Sequence, residues 1–278
     1  MARELTRCEQ IERSIFKTYR KEIWKPFIAA VARYQLVNAG DRVAVCISGG
    51  KDSMLLAKLM QQLQRVSDVP FTVEFLCMDP GYRPDNRQRI EDNARLLQIP
   101  LHIFETNVFD VASHQTKSPC YLCARMRRGY LYSHAQALGC NKIALGHHFS
   151  DVVETTLMGM LYGGQIQAMM PKLHATNFPG MELIRPMYCI HEEDILRWKN
   201  YNQLSFLQCA CRFTEAVGDG TGESKRQEVK QLLKELRKDS PAVEKNIFRA
   251  IHAVQLDTFP GYKSHGVEHS FLEWYDQA

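Results

Sequence analysis

The stretch SPCYLCARMRRGYLY combines two residue types that do chemistry: cysteines three positions apart and arginines within two helical turns of them. They are Cys120, Cys123, Arg125, Arg127 and Arg128. Thiolates bind zinc or iron or form a redox dithiol, and guanidinium groups bind phosphates. The stretch therefore predicts a metal site or a redox pair beside a phosphate-binding helix face. A solvated helix face is the alternative explanation for the arginines.

The metal interpretation depends on further thiols elsewhere in the chain. A structural zinc site usually needs four ligands, and no second C-x-x-C is present. The later pair Cys209 and Cys211 offers a third thiolate. Three thiolates can hold a [4Fe–4S] cluster and leave one iron open. We therefore favour an iron–sulfur cluster, with a zinc site, a redox pair or plain core packing as the alternatives.

The loop SGGKDS is the second group of residues able to do chemistry. It comprises Ser48, Gly49, Gly50, Lys51, Asp52 and Ser53. Glycines let the backbone approach a ligand, amides at a helix N-terminus attract anions, and the lysine adds a cation. The Walker pattern G-x-x-x-x-G-K-[ST] is absent. The loop therefore predicts a phosphate site of another kind, rather than a simple strand-to-helix turn.

Alternating strands and helices must position these residues. Apolar strand-like runs occur at 41–50, 71–79, 101–107 and 141–148, with helical spacing between them. This alternation predicts an α/β fold with a doubly wound, mostly parallel sheet. Ligands bind such sheets beyond the carboxyl ends of the strands, where SGGKDS, MDPGYRP and GHHFSD lie.

Helical additions are predicted on both sides of this sheet. The predicted helices cover 10–37, 191–204, 224–238 and 241–256, and the tail GYKSHGVEH is predicted to be mobile. We divide the chain into an N-terminal helical segment (1–38), a catalytic domain (39–215) and C-terminal helices with a tail (216–278).

Composition sets weaker limits. The 278 residues are 45% apolar and 24% charged, and the net charge of +4 permits a nucleic-acid partner without requiring one. No apolar run approaches the ~20 residues of a membrane helix. Nine cysteines, an odd number, and a charged N-terminus without an apolar signal core argue against structural disulfides. We expect a cytoplasmic protein with no membrane association.

The loop SGGKDS resembles the PP-loop of the ATP-pyrophosphatase superfamily, whose members cleave ATP between the α- and β-phosphates. The resemblance implies an adenine nucleotide α-hydrolase-like fold in which residues 48–53 cradle pyrophosphate and the nucleoside lies along the ends of the first two strands. The nucleotide-binding residues that it implies are Ala44, Val45, Ser48, Gly49, Gly50, Lys51, Asp52, Ser53, Met78, Asp79, Gly146 and His147.

Three longer motifs resemble the TtcA family, which makes 2-thiocytidine in tRNA. SPCYLCARMRRGYLY, LGHHFSDVVETTLMGMLYGG and IRPMYCIHEEDI occur here in the order and spacing of that family, and the similarity spans about residues 15–215. The resemblance implies that Cys120, Cys123 and Cys209 ligate a [4Fe–4S] cluster. This chain has C-A-C where the family usually has C-x-x-C, so Cys211 is the alternative third ligand.

The same resemblance places the turn GHHFSD beside the triphosphate of ATP. It implies that Asp151 helps to hold Mg²⁺ and that Lys51, Asp52 and Asp151 are catalytic. Capping of a helix N-terminus is the structural alternative for Asp151 and Glu154. Asp52 and Asp79 are the other loop carboxylates that could reach the metal, and His147 either contacts phosphate or packs within the loop.

The implied reaction is ATP-dependent thiolation of a nucleobase, most simply at C2 of a tRNA cytidine. The implied partners are tRNA, a sulfur donor such as a cysteine desulfurase or sulfide, and a second copy in a homodimer joined through apolar residues of the N-terminal helix. The alternatives are a ligase or amidotransferase that uses an amine, a thiolase for another base or small molecule, and a nucleotide-binding regulatory protein.

Overall fold

The central sheet carries the site residues. The computed structural model describes residues 3–113, 119–207 and 225–275. The strands are β1 (Arg42–Ile47), β2 (Thr72–Asp79), β3 (Leu101–Glu105), β4 (Lys142–Ala144), β5 (Lys172–His174) and β6 (Glu182–Ile184). They lie in the order β3-β2-β1-β4-β6-β5, and only β5 is antiparallel to its neighbour. The predicted α/β fold with a mostly parallel sheet is therefore confirmed.

Strand β1 forms because its apolar run is buried on both faces. Val43, Val45 and Ile47 pack into one core cluster, whereas Ala44 and Cys46 pack into another. Alternate residues of a strand point to opposite faces, so helices must cover both faces of the sheet at this position. The continuous apolar run is the sequence signature of such a doubly covered strand.

The helices follow the strands in the predicted alternation. They are α1 (Arg7–Arg13), α2 (Lys25–Arg33), α3 (Lys51–Val66), α4 (Pro84–Leu96), α5 (Val108–Ser113), α6 (Pro119–Ala137), α7 (Phe149–Gly163), α8 (Glu192–Tyr201), α9 (Lys225–Asp239) and α10 (Val243–Ala250). In the described parts of the chain, no helix is both long enough and apolar enough to cross a membrane.

The N-terminal segment departs from the single helix predicted over 10–37. Two π-helical segments, Ser14–Thr18 and Arg20–Trp24, separate α1 from α2. In a straight α-helix, residues spaced by four drift around the axis by about 40° per step. The wider turns keep four such side chains inward, and all are fully buried: Ile11, Ile15, Ile23 and Phe27. These four residues belong to the chain's own core, so a dimer interface at the N-terminal helix would have to use other residues.

The C-terminal tail is also more ordered than predicted. β7 (Gly261–Ser264) and β8 (Val267–Ser270) pair as an antiparallel hairpin. The two residues between them, His265 and Gly266, have φ values of 50° and 80°. Positive φ at both central residues is what a two-residue hairpin loop of type I′ requires. The dipeptide His-Gly within GYKSHGVEH is therefore the sequence signal for this turn.

A buried lysine connects strands β4 and β6 to the segment that precedes β1. Lys142 in β4 is 2% exposed, and its Nζ lies 2.8 Å from Asp41 Oδ2 and 3.0 Å from Glu182 Oε2. The same ammonium donates to the carbonyl of Leu36 at 3.0 Å. It therefore joins β4 to β6 and to the segment that leads into β1.

We expect Lys142→Ala to lower the free energy of unfolding by about 3 kcal/mol, because it leaves the buried Asp41 carboxylate and the half-buried Glu182 carboxylate without their shared counter-charge. Urea denaturation measures the change. The matched control is Arg95→Ala, which removes the exposed pair with Asp92 and should cost at most about 1 kcal/mol. Equal losses in the two variants would show that Lys142 makes no special contribution.

Candidate functional site

The phosphate loop lies between β1 and α3, as the sequence predicts. Gly50 is the N-cap of α3, and Lys51 begins the helix. Ser53 Oγ donates to the Gly50 carbonyl at 3.0 Å and accepts from the Ser48 amide at 3.1 Å, which holds the loop in a tight curve. The first-turn amides of α3 have no acceptor within the helix, so they are directed at the space in front of the loop.

Gly49 is required by packing as well as by conformation. Its φ is +82°, and a Cβ at this position would lie 2.6 Å from Ile90 Cγ1 and 3.0 Å from Leu207 Cδ1. Its carbonyl accepts a hydrogen bond from the Leu207 amide at 3.1 Å. The loop is thus held between α4 and the chain segment that leads towards Cys209.

A cavity of about 440 Å³ opens at the carboxyl ends of β1, β2 and β4. Its lining is Cys46, Ile47, Ser48, Asp52, Ser53, Met78, Arg127, Arg128, Leu131, Ile143, Leu145, Gly146, His147 and Asp151. Seven of the predicted site residues are in this set: Ser48, Asp52, Ser53, Met78, Gly146, His147 and Asp151. The structure therefore brings the three predicted loop regions to one edge of the sheet.

Some predicted contacts lie elsewhere. Ala44 and Val45 are fully buried in the middle of β1, and the lining residues of that strand are instead Cys46 and Ile47. The physical reason is that the cavity begins only where the strand ends. Gly49, Gly50 and Lys51 belong to the phosphate loop but do not line this cavity.

Asp79 is engaged in holding its own turn. One carboxylate oxygen accepts from the amides of Gly81 at 2.9 Å and Tyr82 at 2.7 Å, and the other accepts from Arg87 Nη1 at 2.7 Å. Burial opposes ionisation, but the hydrogen bonds from Tyr82 and Arg87 hold the pKa of Asp79 below its usual value. Asp79 is outside the cavity lining, and its local bonds engage both of its carboxylate oxygens.

Asp151 is both a helix cap and a cavity residue. The His148 amide donates to Asp151 Oδ2 at 3.0 Å, and the Asp151 amide donates to His148 Nδ1 at 3.4 Å, which forms a capping box at the start of α7. Asp151 therefore caps the N-terminus of α7, which is the structural alternative that the sequence left open for it. The side chain nevertheless lines the cavity.

Asp52 presents a buried oxygen to the cavity. Its Oδ2 lies 3.1 Å from Lys51 Nζ, whereas Oδ1 is buried and has no hydrogen-bond partner among the residues that the structure describes. His148 Nε2 lies 3.8 Å from Oδ1. An unsatisfied buried carboxylate oxygen is costly, so this atom fits a ligand that supplies a cation or a donor.

His147 can form hydrogen bonds in the cavity as a neutral imidazole. Its Nδ1 is buried with no hydrogen-bond partner in the described parts of the chain. Burial, together with the positive charge of Arg185, lowers the pKa of His147 to about 4. The imidazole is therefore neutral at pH 7 and offers one donor and one acceptor to a ligand in the cavity.

A chain of ion pairs, which the sequence did not reveal, surrounds the phosphate loop. Lys51 Nζ is 3.0 Å from Glu192 Oε1, and Lys230 Nζ is 3.0 Å from Glu192 Oε2. Burial opposes ionisation of Glu192, but Lys230 and Lys51 outweigh it and lower its pKa to about 2. Lys51 and Lys230 thus share one ionised carboxylate.

The same chain of ion pairs continues through α9. Lys230 Nζ lies 3.6 Å from Glu154 Oε1, Arg226 Nε lies 2.9 Å from Glu154 Oε2, and Arg226 Nη2 lies 3.2 Å from Asp151 Oδ1. Burial raises the pKa of Glu154, which the two cations partly offset. The four-residue spacing of Arg226 and Lys230 places both cations on one side of α9, but it does not indicate which carboxylates they meet.

The cysteine region is described in part. Arg127 and Arg128 line the cavity, whereas Arg125 does not. The thiol of Cys123 is buried in a cluster with Met78 and Phe109, one helical turn before Arg127. The side chain of Cys120, and residues Cys209 and Cys211 entirely, lie outside what the structure describes. Among the described residues, no three His, Cys, Asp or Glu side chains are grouped so as to hold a metal ion.

We expect Gly49→Ala to destabilise the fold more than Gly40→Ala does. Both glycines have a φ of +82°, but a Cβ at Gly40 would contact nothing within 4 Å. Gly40→Ala should therefore cost only the backbone strain, about 1 kcal/mol, and Gly49→Ala about 1–3 kcal/mol more from overpacking. Urea denaturation compares the two, and equal losses would contradict the packing requirement.

The chain is similar in sequence to proteins of known function. A family model described as a PP-loop domain matches residues 10–211. A tRNA-cytidine(32) 2-sulfurtransferase from Citrifermentans bemidjiense is 34% identical over 248 residues, which cover 88% of this chain and 93% of the relative. The enzyme of that name from Geobacter sulfurreducens is 36% identical over 229 residues, which cover 81% of this chain and 87% of the relative.

A solved structure supports the fold. The U34-tRNA thiolase NcsA from Methanococcus maripaludis, solved with its [4Fe-4S] cluster, superposes with a TM-score of 0.65 at 20% identity. The match covers 86% of this chain and 80% of that one. The family model and the sequence relatives confirm the resemblance that the three motifs indicate. The chain belongs to the tRNA-cytidine(32) 2-sulfurtransferase family of PP-loop proteins.

Proposed function

We propose that the protein is an ATP-dependent sulfurtransferase that converts a tRNA cytidine into 2-thiocytidine. Family membership supports the reaction class. The observation that carries the proposal is the cavity in which the phosphate loop meets two arginines of the Cys123 helix and an Asp52 oxygen that has no hydrogen-bond partner in the described ranges. Nucleotide activation and sulfur delivery need to occur at one point, and this arrangement supplies residues for both.

The phosphate loop would receive the pyrophosphate end of ATP. The first-turn amides of α3 favour an anion there, and Lys51 is placed on the same turn. The carbonyl oxygen at C2 of the base forms a bond to the α-phosphorus, and the bond to the bridging oxygen breaks. Pyrophosphate then leaves with that electron pair. Lys51 stabilises the negative charge that develops on the departing oxygens.

The second half of the reaction exchanges oxygen for sulfur. A sulfur nucleophile bonds to C2 of the activated base, and AMP departs with the former carbonyl oxygen. Arg127 and Arg128 line the cavity and would offset the charge of the AMP phosphate. Neutral His147 would supply a hydrogen bond to a phosphate or base oxygen there.

Mg²⁺ is proposed as the counter-ion of the triphosphate. Mg²⁺ is usually held by one or two carboxylates together with substrate phosphates, so a complete protein ligand set is not needed. Asp52 fits this role because its Oδ1 is buried in the cavity wall without a partner in the described chain. Asp151 lines the same cavity and would be the second carboxylate.

The proposed ligands of the [4Fe–4S] cluster are Cys120, Cys123 and Cys209, with Cys211 as the alternative third ligand. When bound, such a cluster would supply an iron site at which sulfide can be held. The buried Cys123 thiol lies one turn from the cavity arginines, which fits this placement. Leu207, which precedes Cys209 by two residues in the sequence, donates a hydrogen bond to Gly49 of the phosphate loop.

Partners follow from the reaction. tRNA is the substrate that the family names indicate, and either sulfide or a cysteine desulfurase would renew the sulfur. A homodimer is proposed from the resemblance alone.

We expect anaerobically purified protein to hold about four irons and four sulfides per chain and to form 2-thiocytidine in tRNA with release of pyrophosphate. Cys123→Ala and Cys209→Ala should lose the cluster and the product, whereas Cys189→Ala, a half-buried thiol away from the cavity, should retain both. Iron and sulfide analysis and mass spectrometry of digested tRNA measure these outcomes.

Two other results would change the assignment. Loss of the cluster in Cys211→Ala, with Cys209→Ala unaffected, would move the third ligand by two residues. Pyrophosphate release without sulfur incorporation in protein that holds a full cluster would favour a ligase.

We expect Asp52→Asn to raise the Mg²⁺ concentration needed for half-maximal pyrophosphate release by about tenfold, because a neutral amide is a poorer Mg²⁺ ligand than a carboxylate. Asp85→Asn is the matched control, since this exposed carboxylate on α4 lies outside the cavity. An unchanged Mg²⁺ dependence in Asp52→Asn would exclude Asp52 as a ligand.

A further inference from the structure

Glu192 lies between two lysines from distant parts of the chain. One carboxylate oxygen holds Lys51 of the phosphate loop, and the other holds Lys230 of α9, each at 3.0 Å. The three side chains are 20–37% exposed, so solvent screens these contacts only in part. The extent to which Lys230 compensates the charge of Glu192 therefore affects how available Lys51 is to an incoming anion.

The charge balance around the loop depends on α9. The chain of ion pairs contains four carboxylates, on Asp52, Asp151, Glu154 and Glu192, against three cations, on Lys51, Arg226 and Lys230. Two of these three cations come from α9. Without them, the four carboxylates of this chain of ion pairs would be balanced by Lys51 alone, and the excess negative charge would weaken the attraction of the loop for a triphosphate.

Packing holds α9 in this position independently of its charges. Val229 and Leu233 are 0% and 2% exposed and pack against Phe149 and Val153 of α7. Lys230 is adjacent to the buried Val229, which fixes the direction of its side chain. Removing the Lys230 charge should therefore leave the helix in place.

We propose that Lys230 is a positioning residue of the ATP site: it neutralises Glu192 and Glu154, and it thereby leaves Lys51 available to the triphosphate. The inference rests on the proposed function, since it requires that the loop bind ATP. It extends the site beyond the PP-loop domain match, which ends at residue 211. Lys230 acts through Glu192 and does not itself touch the nucleotide.

The test is binding of Mg²⁺ and α,β-methylene-ATP to the full chain, measured by calorimetry. Lys230→Met should weaken binding about tenfold. In this variant Lys51 is the only remaining lysine partner of Glu192, and the negative charge of Glu192 is less fully compensated. Lys230→Arg should bind within about threefold of wild type. The matched control is Lys234→Met, one turn along α9, where the lysine is exposed and has no ion pair among the described residues.

The double variant Lys230→Met/Glu192→Gln distinguishes positioning from direct contact. Removing the Glu192 charge should restore binding to within about threefold of Glu192→Gln alone. In steady-state assays, Lys230→Met should raise the KM for ATP while changing kcat less than about threefold. Thermal unfolding should show that Lys230→Met still folds cooperatively, because the packing of Val229 and Leu233 is unchanged.

Three outcomes would overturn the inference. Wild-type affinity in Lys230→Met would show that the ion pair has no effect on the ATP site. A double variant as weak as Lys230→Met alone would show that Lys230 contacts the phosphates directly. Absence of nucleotide binding by the wild-type chain would instead refute the proposed function, and the inference with it.

Discussion

The close packing of Gly49 is the constraint on which the site depends. The backbone of this residue passes between Ile90 and Leu207 with no room for a side chain. That contact sets where β1 ends and where α3 begins, and so it sets the direction of the first-turn amides. The cavity, the Asp52 oxygen and the position of Lys51 all follow from it.

Electrostatic balance is the second constraint. A site for a polyanion and its metal ion needs carboxylates as well as cations, and carboxylates near phosphate are repulsive unless they are compensated. The structure meets this need by sharing acids between bases: Glu192 between two lysines, and Glu154 between Arg226 and Lys230. The compensating cations come from a helix that follows the PP-loop domain in the chain.

Local signals were predictable from the sequence because they lie within a few residues of each other. The phosphate loop, the strand before it and the helix after it form one continuous segment, and glycines, apolar runs and helical spacing identify each part. The capping role of Asp151 was foreseen as an alternative for the same reason. The type I′ turn at His265 and Gly266 was equally local and was missed, because a His-Gly pair is a weaker hairpin signal than Asn-Gly.

Long-range contacts could not be predicted in this way. Lys51 and Glu192 are 141 residues apart, and no property of either position indicates the other. Helical spacing places the basic residues of α9 on one side of the helix, but it does not indicate which residues contact that side. Ala44 and Val45 were expected beside the nucleotide, but the end of β1 lies farther along the chain, and strand ends are poorly defined by composition.

The hydrogen bond between the Leu207 amide and the Gly49 carbonyl makes two functional segments mechanically dependent. The phosphate loop cannot shift without displacing the backbone that continues towards Cys209, and a repacking of Leu207 must in turn disturb the loop. A substitution of Leu207 would therefore behave kinetically as a nucleotide-site mutation, although this residue does not line the cavity.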